Sequence, residues 1–203
     1  MLRRRSGRRA ALGISLIEIA VTLSVMALLM SLAVPSFQEL LLNGKVRSTA
    51  DAISKGLQRA RTEAVKRNQS IRFTLVASAD SRLLDDSCQA SAEGAHWVVS
   101  VDEPSRNCAG APSAVNPPRV IEKSEGTVGP GAAVAGQDAS GDPASSITFN
   151  GFGRPTGGLP LARIDVSQVS GAGRSLRVTV SSSGAVRLCD PAVRDAVDPR
   201  RCL

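Results

Sequence analysis

The sequence is poor in the side chains that carry most enzyme chemistry and base recognition. Its 203 residues include four Phe, one Trp, one His and no Tyr. So few rings disfavour base stacking in a nucleic-acid site. With no nucleophile elbow, no paired-acid motif and no C-x-x-C pair, neither catalytic roles nor a zinc site can be assigned. We therefore expect a protein that is not an enzyme and that holds no metal and no cofactor.

Acidic residues are outnumbered, but the positive excess is concentrated at one end. The chain has 25 Lys and Arg against 18 Asp and Glu, a formal net charge of +7. The first nine positions contain no acid and five basic residues: Arg3, Arg4, Arg5, Arg8 and Arg9. Without them the balance is 20 against 18, so the global charge is a weak argument for nucleic-acid binding.

One long apolar run follows these arginines. Residues 14–34 carry a single charge, Glu18, and as a helix they would span about 30 Å, the thickness of a bilayer's hydrocarbon core. The preceding arginines orient the N-terminus toward the cytoplasm. The sequence predicts a single-pass helix in the bacterial inner membrane, with the C-terminal domain in the periplasm.

Three interpretations of this run compete. A secretory signal would use only about 7–15 apolar residues and a small-x-small site, which Ser31-Leu32-Ala33 resembles. A plain membrane anchor explains the length but leaves Glu18 unexplained, because an acid inside such a segment costs about 2.5–3.5 kcal/mol. The third interpretation rests on a family resemblance.

The N-terminal region resembles that of type IV prepilins and pseudopilins. The features are the Arg-rich leader, Gly13, the segment 14–18 with its acid at Glu18, and residues 35–37 at the far end of the apolar run. The resemblance implies that a prepilin peptidase removes the leader 1–13 by cutting between Gly13 and Ile14, and methylates the new N-terminus. It also implies that Glu18 pairs with the α-amino group of a neighbouring subunit during assembly. Ile14 stands where the family most often has Phe.

A second helical half follows the membrane segment. Apolar residues recur at helical spacing and predict an amphipathic continuation over 35–67 that ends at Asn68: Val46, Ala50, Ile53, Leu57, Ala60 and Ala64. The other face is basic and is expected to be solvated, with Arg61 among its residues.

The remainder, 68–203, is expected to be β-rich and periplasmic. Strands are predicted at 71–76, 96–101, 146–149, 162–169, 174–181 and 185–188, with turns at 150–151, 171–173 and 183–184. Because 12 of the 40 residues in 104–143 are Gly or Pro, the segment 104–145 is predicted as one irregular loop. The fold class is therefore α+β, a long N-terminal helix packed on an antiparallel sheet.

Three further segments extend the resemblance over the whole chain. Residues 57–68, 147–155 and 184–189, in this order behind a prepilin leader, look like the minor pseudopilin H and minor pilin T (GspH/FimT) group. The resemblance implies a pilin-like fold and a low-copy subunit that helps to initiate the pseudopilus in type II secretion. Other pseudopilin or pilin subunits would be its partners. The alternative is a minor pilin of a type IV pilus, active in pilus assembly or DNA uptake.

DNA is a partner under that alternative. The C-terminal region carries six arginines against three aspartates, and candidate contacts to the DNA backbone are Arg174, Arg177, Arg187, Arg200 and Arg201. The DNA-binding members of the group typically show Gly-Arg-x-Arg, where this chain has Gly184-Ala185-Val186-Arg187. One of the two arginines is therefore absent.

Four cysteines in an exported domain permit three disulfide pairings, which the sequence leaves open. The simplest pairing is local, Cys88 with Cys108 and Cys189 with Cys202. Each bond would then close a short loop and contribute on the order of 3 kcal/mol to stability.

Overall fold

The computed structural model describes residues 15–80, 83–124, 131–171 and 173–202, and within the helix it describes no side chains for 32–36. The chain divides into two compact units, residues 1–40 and 41–203. A single helix, α1 (Leu16–Arg67), contributes to both units. Among the residues described, no helix is both long and apolar enough to cross a membrane.

Local sequence explains both ends of α1. Ser15 caps the first turn, since its Oγ accepts a hydrogen bond from the Ile17 amide at 3.2 Å. At the other end Asn68 adopts a left-handed conformation (φ 48°), and the amides of Asn68 and Gln69 donate to the carbonyls of Val65 and Ala64. This hydrogen-bond pattern is a Schellman motif. The predicted stop at Asn68 is confirmed.

The two halves of α1 differ in burial. Every side chain described from residue 15 to 31 is exposed, although most are apolar. From residue 41 onward the predicted apolar stripe, Val46 to Ala64, is fully buried. The stripe therefore supplies the helical side of the domain's core.

In the described residues after α1, ten strands form two antiparallel sheets. The first sheet contains β1 (Ile71–Ala77), β2 (Gln89–Ala90), β3 (His96–Ser100), β4 (Val120–Lys123), β6 (Ser146–Phe149) and β7 (Pro155–Thr156). Its order is β4-β3-β1-β6-β7, with β2 also paired to β1. The second sheet contains β5 (Ala132–Gln137), β8 (Arg163–Gln168), β9 (Leu176–Val180) and β10 (Val186–Cys189), in the order β10-β9-β8-β5. The α+β fold class is confirmed, but the strands form two sheets where one was predicted.

One hydrophobic cluster joins the stripe of α1 to the inner faces of both sheets. Near its centre the rings of Phe73 and Trp97 stack with centroids 5.9 Å apart. Gly56 lies on α1 directly above them, and a Cβ at this position would come within 2.9 Å of both rings. The glycine therefore lets the helix approach the sheet closely, despite a helix propensity about 1 kcal/mol poorer than that of Ala.

A smaller cluster covers the outer face of the first sheet. It contains Val76, Val98 and Val120 together with Cys88 and Cys108. Because both faces of the sheet are covered here, all five residues of β3 are buried. The loop that carries the first disulfide thus serves as a second layer of the domain.

The prediction of one irregular loop over 104–145 is wrong for two segments, because β4 and β5 both lie within it. β4 is only four residues long, and β5 consists mainly of Ala and Gly, which have low strand propensity. Pairing with β3 and with β8 makes these segments strands. Residues 104–119 contain no strand.

Candidate interaction site

Arg61 connects α1 to turns from both sheets. Its Nε donates a hydrogen bond to the carbonyl oxygen of Gly153 at 3.1 Å, and its Nη2 lies 3.5 Å from the carbonyl oxygen of Ser183. Gly184, at φ 80°, packs so closely that an added Cβ would overlap the Gly153 carbonyl oxygen. Arg61 was expected on a solvated face, but it is half-buried and bridges two turns.

The turn after β6 is also fixed against the end of α1. Asn150 Oδ1 accepts hydrogen bonds from the amides of Phe152 (3.0 Å) and Arg154 (3.1 Å). An added Cβ at Gly151 would overlap the Asn68 side chain, so this glycine permits the close approach of turn and helix. These contacts hold the turn in one conformation.

The three segments that carry the whole-chain resemblance therefore meet at one place. Arg61 and Asn68 belong to 57–68, Gly151 and Gly153 to 147–155, and Gly184 to 184–189. The sequence contains no signal for this proximity, because the contacts join residues about 90 to 120 positions apart. We name this region the motif junction.

The last turns of α1 also contain a buried carboxylate. Glu63 is 2 % exposed and contacts Arg67 (Oε2 to Nε, 2.6 Å) and Arg59 (Oε1 to Nη2, 3.4 Å). Burial acts to raise the pKa of the Glu63 carboxyl, but the hydrogen bond from Arg67 and the charges of Arg67, Arg59 and Lys66 outweigh it and lower that pKa. Sequence reasoning assigned Glu63 no role, although arginines four residues away on either side signal such a pair.

Most of the C-terminal arginines proposed to contact DNA are already paired. Arg174 Nη2 lies 3.1 Å from Asp190 Oδ2, Arg177 Nε lies 2.6 Å from Asp165 Oδ1, and Arg200 Nη2 lies 2.6 Å from Asp198 Oδ2. The hydrogen bonds from Arg200 lower the pKa of Asp198 to about 2. Because each pair is nearly neutral, these three arginines attract a phosphate backbone only weakly.

Arg187 differs from these three because it shares a row with another arginine. Strand pairing places Arg187, Thr179, Arg163 and Gln137 directly opposite one another across β10, β9, β8 and β5. We name this row the basic rung. Arg163 Nε donates to Gln137 Oε1 at 2.6 Å, and the rung contains no carboxylate. Arg163 was not among the predicted residues, because the strand register was needed to place it. Arg201 lies outside the basic rung, where its backbone forms an isolated β-bridge with Asp190.

The structure contains the local disulfide pairing. Cys88 is bonded to Cys108 and Cys189 to Cys202, so no cysteine is free. The second bond attaches the C-terminal tail to the end of β10. There the Asp190 amide donates to the Arg200 carbonyl at 2.7 Å.

The predicted processing site, Gly13 and Ile14, lies outside the described residues. Glu18 lies in the first turn of α1, and its side chain is exposed. A carboxylate there interacts favourably with the positive end of the helix dipole. Glu18 is thus placed favourably at the helix start, and its role in assembly stays a prediction.

Comparisons with known proteins found one matching family and several similar solved structures. A family model described as type II transport protein GspH matches residues 49–184, more than half of the chain. No curated protein matches the chain. The minor pseudopilin EpsH from the Type 2 Secretion System of Vibrio cholerae is similar at 15 % identity and a TM-score of 0.44, over 73 % of this chain and 99 % of that chain. The type IV minor pilin FimU of Pseudomonas aeruginosa is similar at 15 % identity and a TM-score of 0.42, over 72 % and 89 %.

Proposed function

Because the chain belongs to the GspH family of type II transport proteins, we propose that it is a minor pseudopilin of a type II secretion system. In this role it is a low-copy subunit that helps to initiate or cap the pseudopilus. The family consists of structural subunits and not of enzymes. The protein therefore acts by assembling with other pilin-like subunits.

The exposed apolar surface of α1 carries the proposal. Between residues 15 and 31 all side chains are exposed, including Leu16 (87 %) and Leu28 (68 %), and Glu18 is the only charged residue. Contiguous apolar surface of this extent is rare on a soluble monomer. We infer that 14–34 lies first in the inner membrane and then among the apolar helices of neighbouring subunits.

Maturation completes this proposal. A prepilin peptidase would cut between Gly13 and Ile14, remove the basic leader and methylate the new N-terminus. The new α-amino group lies four residues before Glu18, so the carboxylate of one subunit could pair with the amino group of the next. Such pairing would fix the register of the subunits.

Substitution of Glu18 tests the role in assembly. Glu18→Ala should reduce incorporation into the pseudopilus strongly while the domain 41–203 remains folded. Glu39→Ala is the matched control, because Glu39 is also an exposed carboxylate on α1. Sheared filaments analysed for the subunit give the measurement, and normal incorporation of Glu18→Ala would contradict the assembly role.

The mass of the mature N-terminus tests the processing step. The proposal predicts a chain that starts at Ile14 and carries one added methyl group. A chain cut after Ala33 would indicate a secretory signal instead, and an uncut chain would indicate a plain anchor.

The basic rung favours a second candidate function, a type IV pilus minor pilin that contacts DNA. Arg187 and Arg163 present two positive charges on one face of the second sheet without a carboxylate between them. Such a site would contact phosphates and carry no sequence specificity. The full chain in mild detergent should then bind a DNA duplex with strong salt dependence.

Arginine substitutions decide between the two candidates. Under the DNA proposal, Arg187→Ala should weaken duplex binding and reduce its salt dependence, whereas Arg106→Ala, an exposed arginine on another loop, should change binding little. Absence of binding at low salt would leave the secretion role as the better account.

A further inference from the structure

Among the described residues of 41–202, Phe152 is the one aromatic residue of the Phe and Trp type whose side chain is exposed. Its side chain is 84 % exposed, whereas Phe73, Phe149 and Trp97 are buried in the core. Burying a Phe side chain gains about 1.5–3 kcal/mol, so a monomer gains nothing from holding this ring in water. Large aromatic side chains are typical anchors of protein interfaces.

The backbone under Phe152 is held rigidly by the motif junction. Asn150 accepts hydrogen bonds from the amides of Phe152 and Arg154, and Arg61 donates to the Gly153 carbonyl. Asn68 packs against Gly151 at the start of the turn. Because little backbone freedom remains to be lost, a partner could bind this ring at low entropic cost.

The surroundings of Phe152 are positively charged. Arg154 is exposed two residues away, and Arg61 donates its hydrogen bonds to carbonyl oxygens. Among the described residues, neither arginine forms an ion pair with a carboxylate. The buried acid of the same helix, Glu63, is paired with Arg59 and Arg67.

We propose that Phe152 is an interface anchor that enters an apolar pocket bordered by carboxylates on a neighbouring pilin-like subunit. This inference rests on the proposed function. The apolar ring requires a pocket, and the uncompensated arginines require acidic groups around it. A symmetric contact between two copies of this chain would bring the same arginines face to face, which favours a different subunit as the partner.

Site-specific photo-crosslinking in cells tests the inference on the full chain. A benzoylphenylalanine at position 152 should crosslink to a segment of another pilin-like subunit that contains Asp or Glu, identified by peptide mass. The same probe at position 115 is the control, because Val115 is 81 % exposed on a different loop. Equal yields at the two positions, or crosslinks from 152 only to copies of this chain, to lipid or to nucleic acid, would overturn the inference.

Affinity measurements sharpen the test. With the subunit identified by crosslinking and both full chains in detergent, Phe152→Ala should weaken binding about 10- to 100-fold and Val115→Ala less than about twofold. Arg154→Glu should also weaken binding, by a factor that falls as salt rises. Unchanged affinity of Phe152→Ala would refute the anchor.

The incorporation assay separates this inference from the proposed function. If the wild-type chain enters filaments but the two residue-152 experiments fail, only the anchor is wrong. If the wild-type chain is absent from filaments altogether, the proposed function fails as well. Retained tryptophan fluorescence of the core shows that Phe152→Ala is folded.

Discussion

The first half of α1 and its second half contain similar apolar residues in opposite surroundings. Leu23 and Leu28 are more than half exposed, whereas Leu57 and Ile53 are completely buried. The difference lies in what each half packs against, because both are regular helix. Hydrophobicity alone therefore does not tell whether a helical segment serves the fold or an external partner. The second half stabilises the domain, and we propose that the first half serves assembly.

Substitutions of matched leucines should give the largest difference between the halves. Leu57→Ala should lower the free energy of unfolding by about 2–5 kcal/mol, because it leaves a cavity in the core. Leu23→Ala should change it by less than about 0.5 kcal/mol, since the side chain is 60 % exposed. Urea unfolding in mild detergent, followed by the fluorescence of Trp97, measures both. Equal losses would show that the two halves stabilise the same folded unit.

Arg61 tests whether the second half also organises the turns. Arg61→Met keeps the apolar stem but removes the donors to the Gly153 and Ser183 carbonyls, and we expect a loss of about 2 kcal/mol. Lys66→Met is the control, because Lys66 is exposed on the same helix. Hydrogen exchange should accelerate selectively at residues 150–154 and 181–185 in Arg61→Met. Exchange that stays unchanged there would contradict the bridging role.

Two glycines of the second half should respond in opposite directions. Gly56→Ala should destabilise the domain by about 1–3 kcal/mol, since its Cβ would meet Phe73 and Trp97. Gly44→Ala should stabilise it by about 0.5–1 kcal/mol, because no atom lies within 4 Å of the added methyl group. Thermal unfolding of both variants checks the signs, and a stabilised Gly56→Ala would show that the helix can move away from the sheet.

The loss of stability at acidic pH should be the smallest of these effects. The pKa of Glu63 is lowered in the folded state, so its stabilisation is fully present above its ordinary pKa and is lost as the pH falls through the lowered value. Glu63→Gln should therefore flatten the dependence of the urea midpoint on pH below about 4.5. An unchanged pH profile would mean that the pairs with Arg59 and Arg67 contribute nothing.

Local signals predicted the second half of α1 and its end well. The buried stripe has strict helical spacing, and Asn68 is a residue that tolerates the left-handed conformation of a helix end. Strands with alternating β-branched residues were also predictable, as in β8 and β9. Their observed ends differ from the predicted ends by one or two residues, because strand pairing determines where a strand ends.

Long-range features could not be predicted. β4 and β5 become strands only through pairing, and the basic rung depends on register across four strands. The ion pairs of Arg174, Arg177 and Arg200 form only because the fold brings an aspartate next to each arginine. The net charge of the C-terminal region therefore overestimated the number of unpaired positive charges. The motif junction likewise joins segments whose proximity arises from tertiary structure alone.

The C-terminal tail, which the Cys189–Cys202 disulfide attaches to the domain, lowers the tendency to aggregate. β10 is an edge strand of the second sheet, and an open edge can pair with the edge of another molecule. The hydrogen bond from the Asp190 amide to the Arg200 carbonyl places the tail at the end of this edge, one residue past β10, and the disulfide keeps the tail nearby even when that bond opens. At high protein concentration, the covalent tether thus lowers the chance that two copies join edge to edge.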